Sequence, residues 1–299
     1  MKALVLGGGS MKGAFQVGVV KAILDSGFQP DMIYGISVGA LNAAFLVNEA
    51  GRQSIEHKKI DWEFTGKQLI EFWIKNIKSP QDVAHLRSRM ALGIYTLLSK
   101  FDGLLDSAPL HDLIRNTVDP FILRNSPIKL KIGAVNIKNG DMVYRSPTES
   151  HFLDYVLASA SLPMLMPAVA IENTKDMYLD GGLRVVAPVK KALEDGATEI
   201  MLVACHAKQL RSPEKFNPRN LIALTERVKD ITVNQLVNND IAWAESYVER
   251  STLVGTPIQM TIFRPEAPLS LDLLSFTSED ISRLIVEGYK VGTQTLRRK

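Results

Sequence analysis

The sequence predicts a three-layer α/β/α fold with a central, mostly parallel sheet and a helical insert. Two strand–turn–helix units follow one another within the first fifty residues, which is typical of a parallel sheet with helices on its faces. Later in the chain, apolar runs such as Ile200–Cys205 have the length and composition of buried strands. Between these regions the chain carries more charge, and helical spacing of its apolar residues predicts helices added to the sheet.

The first two units can be placed residue by residue. Lys2–Leu6 is predicted to be a short buried strand, and Ala14–Ser26 a helix that ends near Gly27. Met32–Tyr34 is predicted to be the second strand, and Ala40–Ala50 a helix of small residues. A glycine-containing turn separates each strand from its helix.

The rest of the chain is predicted to complete one domain, 1–299. The helical insert is expected to span about residues 51–125, and a helical C-terminal extension about residues 209–299. Further strands are predicted at 128–135, 142–144, 177–179, 200–205 and 260–264. Further helices are predicted at 152–159, 189–195, 221–247 and 278–293.

Composition and charge are those of an ordinary globular protein. Of the 299 residues, 46% are hydrophobic and 22% are charged, enough for one large domain that needs no disulfide or metal. The net charge of +3 comes from basic residues spread along the chain, which argues against a nucleic-acid binder. The single cysteine, Cys205, excludes an intramolecular disulfide.

No segment of the sequence is apolar for long enough to span a bilayer. The longest uncharged stretches, Met32–Asn48 and Tyr155–Ile171, are interrupted by glycine, serine, asparagine or proline. Both fall short of the roughly 20 apolar residues that a spanning helix needs. The first residues also lack a secretory signature. The sequence therefore predicts a cytoplasmic protein that is able to associate with membrane surfaces.

The turn after the second predicted strand fits the pattern G-x-S-x-G, as Gly35-Ile36-Ser37-Val38-Gly39. In a nucleophile elbow this pattern places the serine on a sharp strand-to-helix turn, where side chains at the flanking glycines would collide. The start of the following helix favours a developing negative charge. The alternative is a structural helix start with Ser37 as its cap.

The turn after the first predicted strand is glycine-rich and spans Gly7–Gly13. Backbone amides in such a turn bind anions, either the oxyanion of a tetrahedral intermediate or the phosphate of a nucleotide. The nucleotide patterns fit less well, because Lys12 is not followed by serine or threonine and the glycine spacing differs from G-x-G-x-x-G. A purely structural turn is the third interpretation.

The segment Tyr178-Leu179-Asp180-Gly181-Gly182 places a carboxylate at the end of a short predicted strand. From there Asp180 is able to project toward a partner on a neighbouring strand. Because Asp-Gly is a strong turn signal, this segment alone also fits an ordinary turn.

Together, the three turns resemble the patatin-like phospholipase family. The resemblance covers residues 1–50 and about 129–204 and is weak in the predicted insert. It is carried, in chain order, by Gly8-Gly9-Ser10-Met11-Lys12-Gly13, Gly35-Ile36-Ser37-Val38-Gly39-Ala40 and Asp180-Gly181-Gly182. One departure is Ser10, where the family usually has glycine, so the turn is strained if it requires a positive φ there.

The resemblance implies a serine acyl-hydrolase that cleaves fatty-acyl esters of (lyso)phospholipids or related lipids through a Ser–Asp dyad. Ser37 is then the nucleophile, Asp180 its base, and the amides of Gly8, Gly9 and Ser10 the oxyanion hole. The remaining motif residues are Lys12, Gly13, Gly35, Gly39, Gly181 and Gly182. The implied partner is a lipid, with peripheral membrane contact, no nucleic acid, no cofactor and no metal. The oligomeric state is not indicated.

Other interpretations of the same residues stay open at this point. The chain order Ser37, Asp180, His206 also fits an α/β-hydrolase triad, although that fold places several strands before its nucleophile. A module that binds lipid or acyl groups without catalysis is a further alternative. The apolar loop residues Leu162, Met164 and Met166 suit either an acyl chain or ordinary core packing.

Overall fold

The computed structural model of the chain describes residues 1–88, 102–172, 175–210, 216–269, 271 and 275–298. The strands in these ranges are β1 (Lys2–Leu6), β2 (Met32–Ile36), β3 (His85–Leu86), β4 (Leu105–Asp106), β5 (Lys129–Asn136), β6 (Met142–Arg145), β7 (Val169–Ala170), β8 (Met177–Asp180), β9 (Glu199–Val203) and β10 (Gln259–Phe263). The helices are α1 (Gly13–Asp25), α2 (Val38–His57), α3 (Trp62–Asn76), α4 (Ala108–Thr117), α5 (Pro120–Asn125), α6 (Phe152–Ala160), α7 (Val189–Glu194), α8 (Leu221–Leu253) and α9 (Ser278–Arg297).

Eight of these strands form one mixed sheet in the order β10-β9-β1-β2-β5-β8-β7, and β6 also pairs with β5. The neighbours from β10 to β5 are parallel, whereas β6, β7 and β8 join by antiparallel pairing. β3 and β4 form a separate antiparallel pair. The predicted α/β fold with a mostly parallel central sheet is confirmed.

Helices cover both faces of the sheet, because alternate strand residues point to opposite sides. Leu4 and Leu6 of β1 belong to a large apolar cluster with α1, α2, α3, α6 and α9. Ala3 and Val5 belong to a smaller cluster with α7 and α8. These two clusters are the interfaces between the three layers.

The second helix is longer than the sequence predicts, and Gly51 and Gln53 of its added turns are buried. α2 continues to His57, past residue 51, where the insert was expected to begin. Gln53 is buried and its side-chain amide donates to the Thr65 hydroxyl at 2.9 Å, which ties α2 to α3. The insert contributes α3, α4 and α5, while its residues 89–101 lie outside the described part of the chain.

The C-terminal extension contains α8, β10 and α9. α8 is one continuous helix that ends at Leu253, six residues beyond the predicted end. α9 begins with a capping box, in which Thr277 and Asp280 exchange hydrogen bonds between side chain and backbone. Residues 211–215, 270, 272–274 and 299 of the predicted extension lie outside the described residues.

Candidate active site

The serine turn has the strained backbone of a nucleophile elbow. Ser37 lies between β2 and α2 with φ 57° and ψ −129°, a conformation that a residue other than glycine rarely adopts. Its amide donates to the Ser159 hydroxyl at 2.9 Å. A Cβ at Gly35 would lie 2.4 Å from the Gly39 carbonyl oxygen, and one at Gly39 would lie 2.2 Å from the Leu6 carbonyl oxygen. Backbone contacts on both sides therefore hold Ser37 in place.

Strand pairing brings the carboxyl ends of β2 and β8 together. β2 ends with Ile36 opposite Gly133 of β5, and β8 ends with Asp180 opposite the next β5 residue, Ala134. β6 pairs with β5 across both of these positions, so β2 and β8 must share the other edge of β5. The two strands run toward each other along that edge, and Asp180 therefore meets the start of the Ser37 turn.

Asp180 is a buried carboxylate on the same cavity as Ser37. Its side chain accepts from the Gly182 amide at 2.7 Å. Burial raises the pKa of Asp180 to about 6, although the Ser37 side chain and the Gly182 amide oppose that change. At neutral pH the group is ionised and is a stronger base than an exposed carboxylate.

The glycine-rich turn faces the same serine. Ser10 has φ 52°, so a non-glycine residue occupies the positive-φ position at which the family usually has glycine. The Gly8 amide donates to the Val186 carbonyl oxygen at 2.9 Å. In the described part of the chain, the amides of Gly9 and Ser10 donate to no protein group. Of the three amides predicted for the oxyanion hole, that of Gly8 is already engaged, which leaves those of Gly9 and Ser10.

A buried polar chain, which the sequence analysis missed, supports the glycine-rich turn. The Gln16 side-chain amide donates to the Gly7 carbonyl oxygen at 3.0 Å, and the Asn42 side-chain amide donates to the Gln16 side chain at 2.9 Å. Trp73 of the insert donates to Asn42 at 2.8 Å. Buried hydrogen bonds of this kind hold a loop in one conformation. No sequence motif marks these residues, because they come from three different helices.

A cavity of about 240 Å³ opens at Ser37 and Asp180. Most of the residues predicted for the site line it, namely Gly8, Gly9, Ser10, Lys12, Ser37, Leu162, Met164, Asp180 and Gly182. Gly13, Gly35, Gly39 and Gly181 are buried in the turns behind it. Lys12 pairs with Asp230 of α8 at 3.5 Å, so this motif residue reaches across the cavity.

A second, narrow cavity of about 40 Å³ leads from Ser37 toward the insert. Apart from the two serines, its lining is apolar: Met11, Val38, Leu41, Trp73, Ile77, Val83, Leu110, Leu113, Ala160, Leu162 and Met166, with Ser10 and Ser37 at the shared end. The three apolar loop residues predicted to contact an acyl chain therefore line different cavities. Met164 lines the larger cavity, Met166 the narrow one, and Leu162 both.

His206 lines the larger cavity but does not bridge the serine and the aspartate. It is 8% exposed, and its Nδ1 has no hydrogen-bond partner among the described residues. Burial, followed by the charges of Lys12, Lys229 and Arg264, holds the pKa of His206 well below its usual range. The imidazole is therefore neutral at physiological pH.

Neither a candidate metal site nor a helix able to span a membrane occurs among the described residues. No group of three histidine, cysteine, aspartate or glutamate side chains is arranged to hold a metal ion there. Across the described helices, none combines the length and the apolar character that crossing a bilayer requires.

The family model for patatin-like phospholipases matches residues 4–193, which is more than half of the chain. The chain belongs to this family. The resemblance predicted from the three turns is confirmed. All five residues predicted for catalysis and oxyanion binding, Ser37, Asp180, Gly8, Gly9 and Ser10, lie within the matched residues.

Among curated proteins, the chain is similar to neuropathy target esterase sws of Drosophila melanogaster, with 25% identity over 201 residues. It is also similar to the Drosophila erecta protein of the same name, with 26% identity over 180 residues. The matches cover 67% and 60% of this patatin-like chain but 12% and 11% of those longer proteins. A solved structure, VipD from Legionella pneumophila, aligns over 99% of this chain and 67% of its own, with TM-score 0.42 and 15% identity.

Proposed function

We propose that this patatin-like protein hydrolyses fatty-acyl ester bonds of (lyso)phospholipids or related lipids, with Ser37 as nucleophile and Asp180 as base. The observation that carries the proposal is the meeting of β2 and β8 along β5, which places Ser37 and the Asp180 carboxylate on one cavity. The amides of Gly9 and Ser10, which line the same cavity, are available as donors. A nucleophile, a base and oxyanion donors in one cavity are what acyl transfer requires.

The reaction proceeds in two halves. In the first, Asp180 accepts the hydroxyl proton as Ser37 Oγ attacks the ester carbonyl, and the amides of Gly9 and Ser10 stabilise the oxyanion. The tetrahedral intermediate collapses to an acyl-serine, and the departing alcohol takes the proton from Asp180. In the second half, water gives its proton to Asp180 as it attacks the acyl-serine. That proton returns to Ser37 as the fatty acid leaves.

The geometry supports a dyad rather than the alternative triad with His206. A triad needs an imidazole that accepts the serine proton at one nitrogen and donates a hydrogen bond from the N–H of its other nitrogen to the carboxylate. Here Ser37 is close enough to Asp180 to lower the pKa of the carboxyl group, and Nδ1 of His206 has no hydrogen-bond partner in the described part of the chain. The base strength comes instead from the raised pKa of Asp180.

We assign the narrow apolar cavity to the acyl chain. It begins at Ser37 and is enclosed by Trp73, Ile77 and Leu110 of the insert, so a chain entering it stays out of water. Burying methylene groups in such a space stabilises a complex by about 0.8 kcal/mol each. This assignment gives the insert a role in substrate selection and places Leu162 and Met166 against the acyl chain.

The mouth of the larger cavity is suited to peripheral contact with a lipid surface. Met164, Leu183 and Val228 line this cavity and are 55%, 43% and 55% exposed. On α8, Leu224 and Ile231 lie on the same helix face as Val228 and are also exposed. An exposed apolar patch around a functional cavity indicates an interaction surface. The expected partner is the surface that contains the substrate.

Ester hydrolysis and covalent labelling together test the dyad. We expect the purified protein to hydrolyse p-nitrophenyl butyrate and to be labelled on Ser37 by a fluorophosphonate, as located by peptide mass spectrometry. Ser37→Ala should abolish labelling, and Asp180→Asn should lower kcat by roughly 10³-fold or more while the circular dichroism spectrum stays unchanged.

Three outcomes would redirect the proposal. Persistent labelling of Ser37→Ala would exclude Ser37 as the nucleophile. An active Asp180→Asn variant would transfer the role of base to His206. A protein that binds lipid but hydrolyses neither nitrophenyl esters nor phospholipid vesicles would favour the module that binds without catalysis.

A further inference from the structure

One carboxylate on α8 binds the backbone of the segment that leads away from Asp180. Asp240 accepts hydrogen bonds from the amides of Val186 and Ala187, both at 2.9 Å and both at Oδ2. These two residues lie between β8, which ends at Asp180, and α7. Because a charged acceptor makes a stronger hydrogen bond than a neutral one, the carboxylate anchors this segment firmly to α8.

Packing fixes the side of α8 that presents this carboxylate. Val237, Ile241 and Ala244 lie on the same helix face as Asp240 and are buried in the smaller apolar cluster. The two residues whose amides bind Asp240 belong to the same cluster. Burial raises the pKa of Asp240, and the two amide hydrogen bonds oppose that change. The contact between α8 and this segment is therefore part of the protein core.

The anchored segment contacts the glycine-rich turn just before the proposed oxyanion donors. The Val186 carbonyl oxygen accepts from the Gly8 amide at 2.9 Å. Gly8 directly precedes Gly9 and Ser10, whose amides are available to the oxyanion. Val186 lines the larger cavity, whereas Asp240 is not among the described residues that line it. Asp240 therefore reaches the turn through the backbone of Val186 and not through contact with substrate.

We propose that Asp240 is a positioning residue for the oxyanion hole. It holds the Val186 peptide, and that peptide holds Gly8, so that the next two amides are fixed toward the oxyanion. The inference rests on the proposed acyl-hydrolase function. Oxyanion donors stabilise the transition state most when they are oriented before the reaction begins. Asp240 lies beyond residues 4–193, which match the family model, so the C-terminal extension contributes to the geometry of the site.

Asp240→Ala tests this role, with Glu249→Ala at an exposed position of the same helix as the matched control. For Asp240→Ala we expect kcat for p-nitrophenyl butyrate to fall roughly tenfold or more and KM to change less than about twofold, because the oxyanion forms only after binding. Asp240→Asn should recover most of kcat, because its carbonyl oxygen is able to accept from both amides as Oδ2 does. Glu249→Ala should leave kcat and KM unchanged.

A transition-state analogue separates positioning of the donors from a general loss of stability. Ser37 Oγ adds to the carbonyl carbon of an alkyl trifluoromethyl ketone while Asp180 takes the hydroxyl proton, which leaves a hemiketal oxyanion. The inhibition constant of this ketone should rise in Asp240→Ala by the factor by which kcat/KM falls. Inhibition by 1-octanol, which forms no oxyanion, should stay unchanged.

Three results would overturn the assignment. These are a folded Asp240→Ala variant with unchanged kcat, a loss confined to KM, and an Asp240→Asn variant as impaired as Asp240→Ala. Should Asp240→Ala fail to fold, Asp240→Glu replaces it, since it keeps the carboxylate but displaces it by one methylene. A lower kcat at unchanged KM is then expected, and an unchanged kcat would overturn the assignment. Unmodified protein that neither hydrolyses butyrate nor is labelled at Ser37 would instead contradict the proposed function itself.

Discussion

The turns that follow β1 and β2 both hold a serine at positive φ, yet they offer different atoms to the site. Ser37, with φ 57°, presents its hydroxyl to Asp180. Ser10, with φ 52°, offers its backbone amide, which donates to no protein group in the described part of the chain. The strain at Ser37 accompanies a side chain that the chemistry needs. The strain at Ser10 accompanies a side chain that the proposed chemistry does not use.

The two turns also differ in what surrounds their glycines. In the Ser37 turn, added Cβ atoms at Gly35 and Gly39 would collide with backbone. In the Ser10 turn, a Cβ at Gly8 would have its nearest contact at 3.3 Å, with the Ser37 Cβ, and its next at 3.7 Å. The Ser37 turn is therefore locked by main-chain packing. In the Ser10 turn Gly8 has some room, whereas a Cβ at Gly9 would lie 2.4 Å from the Cys205 Cβ. Four predictions test this contrast.

The largest expected difference is between the two serine hydroxyls. Ser37→Ala should lower kcat for p-nitrophenyl butyrate about 10⁴-fold or more, because it removes the nucleophile. Ser10→Ala should lower it less than about tenfold, because the backbone amide remains. Steady-state kinetics of the two variants at equal concentration measure the contrast. Comparable losses would show that the Ser10 side chain takes part in the chemistry.

The second largest difference is expected in the stability cost of replacing a glycine in each turn. Gly39→Ala places a Cβ 2.2 Å from the Leu6 carbonyl oxygen and should lower the free energy of unfolding by about 4 kcal/mol or more, or prevent folding. Gly8→Ala should cost about 1 kcal/mol, because its contacts are nearly ordinary. Urea denaturation followed by circular dichroism gives both values. Equal costs would mean that the turns are equally constrained.

The activity should depend on pH through Asp180, the proposed base for Ser37. With the pKa of Asp180 near 6, the ionised base disappears as the pH falls through that value. We expect kcat/KM to be halved at about pH 6 and to fall about tenfold for each further pH unit. A profile that stays flat to pH 4 would indicate a base with an ordinary carboxylate pKa. Circular dichroism at each pH separates loss of activity from loss of fold.

The smallest expected effect is the relief of strain at Ser10. Ser10→Gly restores the residue that accommodates φ 52° without a Cβ clash and should stabilise the fold by up to about 1 kcal/mol. Part of the gain is offset by the greater freedom of glycine in the unfolded chain. The melting temperature should rise by a few degrees at most, and a decrease would show that the serine side chain stabilises the turn.

How far the site was predictable depends on how its residues are distributed along the chain. Ser37 and the Gly7–Gly13 turn were found because each lies in a short local pattern after a strand. The engagement of the Gly8 amide was missed, because its acceptor, Val186, comes from a distant segment. The hydrogen-bonded chain from Gln16 to Trp73 was missed for the same reason.

By itself, the sequence determined the α/β fold class, the family and the turns that present Ser37 and Asp180, since these follow from local periodicity and motifs. Only the tertiary structure decided that β2 and β8 meet end to end along β5, which brings a serine and an aspartate 143 positions apart onto one cavity. It also decided which side chains enclose the two cavities. Strand order and helix packing are set by contacts between segments far apart in the chain, and no local pattern records them.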